Sequence, residues 1–256
     1  MPFRSRSAIR VKDAEAVEKM RVSNRIVAMV LETMKNEVRP GISTLELDRI
    51  AEEIIRSAGA TPSFKHYHGY PASICASVDE EIVHGIPRAE TVLKEGSIVS
   101  IDVGAYIGGY HGDGARTFAV GEVSEEALDL VRRTEESFFA GMAYARAGCY
   151  LYQISAAIEK HAKSYGLGIV KEYVGHGIGT EMHEEPPIPN YKPFGRGPRL
   201  EAGMTLAVEP MITRGSAAIR ILDDGWTAVT RDGSLSAHYE NTILITSDGY
   251  EILTRL

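Results

Sequence analysis

Between Ile98 and Phe118 the chain reads IVSIDVGAYIGGYHGDGARTF, which sets Asp102 and Asp113 on either side of a glycine turn. Two carboxylates held close together repel unless a proton or a cation lies between them. The pair therefore reads either as ordinary solvated acids on neighbouring strands or as part of a site that shares a proton or binds a metal. Glu209 in LEAGMTLAVEP and Glu240 in SAHYENTILIT add two acids on similar runs, and His176 and His183 stand in the irregular stretch YVGHGIGTEMHEEPPIPN. Histidines in such a loop are either surface residues or part of a site. Four converging acids would be strongly unfavourable, and few basic residues lie nearby in sequence to compensate them. Two divalent cations would resolve the repulsion. Carboxylates can bridge metals about 3.5 to 4 Å apart, with an imidazole completing one shell and water filling the open positions.

The acids need strands to present them. Val99, Ile101 and Val103 alternate with Ile98, Ser100 and Asp102, so Asp102 points away from the apolar side. After the turn at Gly108 and Gly109, Asp113, Ala115 and Thr117 share one face, and two antiparallel strands can bring both aspartates to one concave surface. Leu93, Gly96 and Asp102 have the spacing of Leu200, Gly203 and Glu209, which reads as a degenerate internal duplication of a strand that ends on an acid. A shorter echo, His84-Gly85-Ile86 against His176-Gly177-Ile178, is of a length that chance produces. Near the end, Ser236, His238, Glu240 and Thr242 oppose Ala237, Tyr239, Asn241 and Ile243, with Ile243 and Ile245 toward the core.

Around these strands the pattern predicts cover. Apolar residues recur at helical spacing from Asp13 to about Val38, and Pro40 with Gly41 ends the run. Ser43 with Glu46 opens a second helix that Gly59 closes, Ser124 caps a third running to about Ala147, and Tyr150 to Tyr165 forms a fourth. The loop holding His66, Tyr67, His68 and Tyr70 is either a pocket wall or a packed aromatic loop.

Composition sets the outer bounds. A hydrophobic fraction of 44% and a charged fraction of 25% in 256 residues describe an ordinary globular chain with room for a substantial core. The net charge of −7 argues against a nucleic-acid partner held by phosphate neutralisation. Cys75 and Cys149 are too few for a disulfide framework, and no apolar run has signal-peptide or membrane-spanning length, so the expectation is a cytoplasmic protein without membrane attachment.

Taken in order, YHGYP at Tyr67 to Pro71, HGIP at His84 to Pro87, IDVG at Ile101 to Gly104, HGD at His111 to Asp113, GHGIG at Gly175 to Gly179, HEEP at His183 to Pro186, Glu209-Pro210-Met211, DGW at Asp224 to Trp226 and LSAHYENTI at Leu235 to Ile243 form a specific signature. On these words the chain resembles the type I methionine aminopeptidases of the short bacterial form. The resemblance implies an α+β, pita-bread fold over a single 1–256 domain: a curved antiparallel sheet, helices on its outer face, and pseudo-twofold related halves. It implies that Asp102 chelates one metal, that Asp113 and Glu240 bridge two, and that His176 with Glu209 completes the second, the ions being Co, Mn, Fe or Zn. It further implies a water acidified between them that attacks the first peptide carbonyl, with Glu209 shuttling the proton. His183 would stabilise the intermediate's oxygen or hydrogen-bond the scissile amide, and His84 would contact the backbone nitrogen after methionine. Tyr67, Tyr70, Cys75 and Trp226 would line the methionine pocket, with Phe64 and Met182 at positions where the bacterial pattern differs.

The implied substrate is the N-terminal methionine of nascent peptides after deformylation, met by a monomer in transient contact with the ribosome. The chain's own Met1-Pro2 start has the small second residue of such a substrate. Two other readings stand beside this one: a prolidase-like aminopeptidase of the same fold, and a pita-bread binding protein without catalysis. Prolidases usually carry an additional N-terminal domain, and non-catalytic members lose metal ligands.

Overall fold

The computed structural model describes residues 8–256, so Met1-Pro2 lies outside the described residues. Among the described residues four long helices form where the pattern asks for them. Helix α1 (Ala14–Glu37) begins where the Asp13 carboxylate accepts from the Ala16 N–H at 2.8 Å, and it buries Val17, Met20, Val27, Val30, Leu31 and Met34. Helix α2 (Thr44–Ser57) begins where Ser43 Oγ accepts from the Glu46 N–H at 3.2 Å. Helix α3 (Glu125–Met142) is capped by Ser124, and α4 (Leu151–Ser164) follows Tyr150.

The third helix stops at Met142 and does not run on to Ala147. Tyr144 and Ala145 close tighter turns onto Gly141 and Met142, after which the Ala147 N–H donates to Thr246 O at 3.1 Å and the Gly148 N–H to Leu200 O at 2.8 Å. Donors that a longer helix would keep for itself are drawn to the neighbouring strands, so tertiary pairing overrides local propensity.

The strands fall into two equivalent sets. In the first, Ile98–Ile107 lies antiparallel between Ile74–Val78 and Tyr110–Ala119. In the second, Thr205–Val208 lies antiparallel between Gly175–Gly177 and Asn241–Ile245. The long repeat is structural. Gly96 and Gly203 both turn with φ near +90° (+90° and +94°), a conformation that favours glycine. The Gly96 N–H then donates to Val120 O at 3.0 Å, as the Gly203 N–H does to Ile245 O at 2.9 Å. The short echo is not. Ala207 pairs with His176, whereas its duplicate Ser100 pairs with Ser77, so His84 is not the counterpart of His176.

The two sets meet edge to edge along the Tyr110–Ala119 strand. Ala115 and Glu240, equivalent in the repeat, exchange backbone hydrogen bonds of 3.4 and 2.9 Å. On either side of them Thr117 Oγ1 bonds the backbone of His238, at 2.9 Å both ways, while Thr242 Oγ1 bonds that of Asp113 at 3.0 and 3.3 Å. A local twofold axis therefore runs between Ala115 and Glu240.

Each set turns one face outward to its own helices. Val99, Ile101 and Val103 pack with Val27, Val30, Leu31 and Met34 of α1, while Leu206, Val208, Ile243 and Ile245 pack with Phe138 of α3 and with Leu151, Ile154 and Ile158 of α4. Ile243 is wholly buried there, and its truncation to alanine would cost about 2–5 kcal/mol. The opposite, inner faces carry Ser100, Asp102, Thr205, Ala207 and Glu209 toward the centre. Among the described residues no helix is long and apolar enough to cross a membrane.

Candidate functional site

The inner faces bring the sequence's acids together. Asp102 pairs across its hairpin with Ala115, and Asp113 with Gly104, which makes the two aspartates diagonal neighbours on one face. In the second set Val208 pairs with Asn241, so Glu209 and Glu240 leave the same end of the ladder together. His176 stands beside them, paired with Ala207. Its Nε2 lies 3.5 Å from Asp113 Oδ2 and 3.7 Å from Glu209 Oε1. Asp113, His176 and Glu240 each offer one ligand atom, all within 4.8 Å of one another.

These groups are in low-dielectric surroundings with little to neutralise them. Asp113, His176 and Glu240 are buried. Burial first, and the neighbouring carboxylates second, push Asp102 and Glu240 well above the ordinary carboxylate range, and burial likewise raises Asp113. For His176 burial acts to lower the pKa, but the Asp113 and Glu209 carboxylates outweigh it and leave it raised. The half-buried guanidinium of Arg116 is close but turned away: it donates to the carbonyls of Ala115 and Glu240 and, at 2.7 Å, to Asn241 Oδ1.

The donor set fits divalent cations. Among the described residues Asp102 Oδ1 and Glu240 Oε1 are buried without any hydrogen-bond partner, a costly state for carboxylate oxygens that a cation relieves. Two donors on one ion, each roughly 2.0–2.2 Å from it, stand roughly 3–3.5 Å apart, close to the His176–Asp113 spacing of 3.5 Å. The Nδ1–H of His176 donates to Gly177 O at 2.9 Å, which leaves Nε2 with its lone pair toward the acids.

Beside the acids the same cavity, about 280 Å³, becomes apolar. All eleven residues singled out in the sequence line it: Asp102, Asp113, His176, Glu209 and Glu240 on one side, with Tyr67, Tyr70, Cys75, His84, His183 and Trp226 around the remainder. Phe64, His68 and Met182 line it as well, while His66 of the same loop is exposed and stays outside. Cys75 pairs directly with Asp102, so the apolar wall and the acids are adjacent by strand register. Burial pushes the Cys75 thiol well above its ordinary value, which makes it a small hydrophobe and not a nucleophile.

The Tyr70 hydroxyl lies 3.0 Å from the carbonyls of Ile74 and Gly85, and its ring meets Trp226 edge-on at 5.2 Å. His84, with φ +61°, stands edge-on to Tyr173 at 5.0 Å, and burial lowers its pKa. Left-handed backbone at a non-glycine residue is the strain that cavity-lining groups tend to carry. His183 bonds the Tyr67 hydroxyl through Nδ1 at 2.9 Å and lies tilted by 47° against His176 with ring centres 4.2 Å apart. Desolvation, with the imidazoles of His176, His84 and His68, lowers its pKa.

Residues 18–247 match the model of metallopeptidase family M24. The chain belongs to that family. Among M24 proteins it is 51% identical over 244 residues to the methionine aminopeptidase of Clostridium acetobutylicum, covering 95% of this chain and 98% of that protein. Its fold matches the crystal structure of the methionine aminopeptidase from Thermotoga maritima with a TM-score of 0.95 and 44% identity, over 97% of this chain and 100% of that one. An Xaa-Pro dipeptidase from Bacillus anthracis shares the M24 fold at a TM-score of 0.76 and 26% identity, but this chain spans 62% of its length. The pita-bread fold is thus the one found, and the chain is an M24 metallo-aminopeptidase. A full-length likeness to methionine aminopeptidases against a partial one to a dipeptidase does not favour the prolidase-like alternative.

Sequence reasoning missed four neighbours of the site, Val83 in the cavity wall among them. Tyr173 and Val174 line the cavity from the loop ahead of His176. His238 groups with Glu209 and Glu240, its Nε2 being 3.4 Å from Glu209 Oε2. The alternation that places His238 on the face of Glu240 was the available signal.

Proposed function

We propose that this M24 chain removes the initiator methionine from nascent proteins whose second residue is small, using two divalent cations held by Asp102, Asp113, His176, Glu209 and Glu240. The observation that carries the reading is the convergence of four carboxylates and one imidazole on a single cavity, with buried oxygens of Asp102 and Glu240 left unpartnered. Asp102, Asp113, Glu209 and Glu240 would hold the cations through carboxylate oxygens and His176 through Nε2. Oxygen donors with one nitrogen suit Mn, Fe, Co or Zn. When bound, the cations supply Lewis acidity and ease the loss of a proton from water near neutral pH.

The remaining work belongs to side chains. Glu209 takes the proton of the attacking water and passes it to the leaving amine. With the Tyr67 phenol donating to Nδ1, His183 carries its own proton on Nε2, the atom left to bond the oxygen that gains charge at the scissile carbonyl. His84 contacts the backbone nitrogen that follows methionine. Tyr67, Tyr70, Cys75 and Trp226, with Phe64 and Met182, give the unbranched thioether an apolar, aromatic-walled seat. A free α-amino group is required, so a formylated terminus is refused. We place the reaction in the cytoplasm, after deformylation, with the chain acting as a monomer and touching the ribosome only transiently.

A peptide panel tests this. Metal-free protein supplied with Mn or Co is offered Met-Ala-Ser, Leu-Ala-Ser and Ala-Pro peptides. Selective methionine release is expected. Cleavage before proline, or silence with every metal, overturns the reading.

A further inference from the structure

The local twofold axis pairs each half's inner-face residues. Asp102 answers to Glu209, and Asp113, through its backbone bonds with Thr242, answers to His238 with Thr117. Duplication has therefore put an imidazole where the first half has an aspartate. The His238 ring is buried, 2% exposed, and its Nε2 has no hydrogen-bond partner among the described residues. A buried imidazole nitrogen left in that state is costly unless the working site gives it a partner.

Glu209 is the partner within reach. Its two oxygens face opposite ways, Oε1 toward His176 Nε2 at 3.7 Å and Oε2 toward His238 Nε2 at 3.4 Å. The two histidines are not alike. His176 Nε2 stands among carboxylates of both halves, Asp113 and Glu209, as a donor that closes a cation shell does. His238 Nε2 approaches Glu209 Oε2 most closely among the described carboxylates, at 3.4 Å, with an oxygen of Glu240 within 4.8 Å of the same group. Its 3.4 Å separation is a few tenths longer than an N–H···O bond, and a small rotation about the glutamate's broad terminal torsion closes it.

We propose that His238 is a positioning residue for Glu209: its Nε2–H donates to Oε2, fixing the carboxylate so that Oε1 serves the cation side and one oxygen stays oriented toward the reacting proton. The proposal rests on the reading of Glu209 as proton shuttle. His238 itself neither holds a cation nor takes up the proton. Its backbone is pinned by Thr117, whose Oγ1 also lies 2.8 Å from Ser100 Oγ, so the ring is presented from a rigid ladder.

The test uses the metal-loaded full chain and compares His238→Ala, His238→Gln and Glu209→Gln for kcat, KM on Met-Ala-Ser, bound metal by elemental analysis, and thermal midpoint. Loss of an orienting partner is expected to lower kcat by roughly 10- to 100-fold in the alanine variant, with KM and metal content unchanged. Glutamine, whose amide N–H replaces the donor, is expected to restore kcat to within a few-fold of the parent, which a packing defect alone would not explain. Full activity in the alanine variant overturns the proposal, as does loss of metal from the glutamine variant, which would make His238 a ligand. An active Glu209→Gln variant would instead overturn the shuttle reading beneath it.

Discussion

Replacing Glu240 by glutamine should stabilise the protein without metal and lose part of that advantage with metal. Glu240 is 2% exposed, and burial followed by Asp113, Glu209 and Asp102 raises its folded pKa well above the ordinary value. An acid raised in the fold holds its proton more tightly there than in the unfolded chain. Its favourable contribution is full below the unfolded pKa of about 4.3 and is lost as pH climbs to the folded value, at about 1.4 kcal/mol per pH unit. Glutamine has no proton to lose, so the metal-free variant gains on the parent by that slope through the window. At roughly 2.1 cal/mol/K per residue, 256 residues give a shift of about 2–3 °C per pH unit. His84, His111 and His183, which burial lowers, push stability the other way near pH 6.5, but they are common to both proteins and cancel in the difference. The assay is a thermal melt of chelator-stripped protein from pH 5 to 8, repeated with Mn. Saturating metal at about 100 times Kd adds roughly 2.7 kcal/mol to the parent and less to the variant, so the variant's advantage narrows. A difference that does not vary with pH, or equal gains from metal, would refute the reasoning.

Other outcomes follow from the same geometry. Asp113→Ala removes the carboxylate whose Oδ2 stands 3.5 Å from His176 Nε2. Losing several kcal/mol of Lewis-acid stabilisation should lower kcat by about 10³-fold or more, with metal content falling in parallel. His183→Ala should lower kcat by roughly 10²- to 10³-fold as an oxyanion donor would, while elemental analysis finds metal unchanged; metal loss there would contradict its assigned role. Trp226→Ala opens the wall against Tyr70, whose ring is 5.2 Å away, and should raise KM for Met-Ala-Ser by roughly 10-fold or more with metal intact.

What could be read in the sequence followed from local rules. Polar residues interrupting apolar alternation, as Asp102 and Glu209 do, must face something other than helices, and the spacing of Leu93-Gly96-Asp102 and Leu200-Gly203-Glu209 survives because both glycines make the same turn. What could not be read depended on partners far along the chain. The end of α3 is decided by Thr246 and Leu200, to which Ala147 and Gly148 donate. The His84 and His176 echo fails because strand register pairs the duplicate of Ala207 with Ser77. His238 shared a face with Glu240 in the pattern, yet its relation to Asp113 exists only through the two threonines that bond across the axis.

The central claim is that two cations sit among these acids, and anomalous X-ray scattering from Mn-loaded crystals tests it most directly. Two peaks roughly 3.5–4 Å apart, with Asp113 and Glu240 between them and His176 on one, are predicted. No peak within reach of these side chains, or one ion with Asp102 left unengaged, would contradict it.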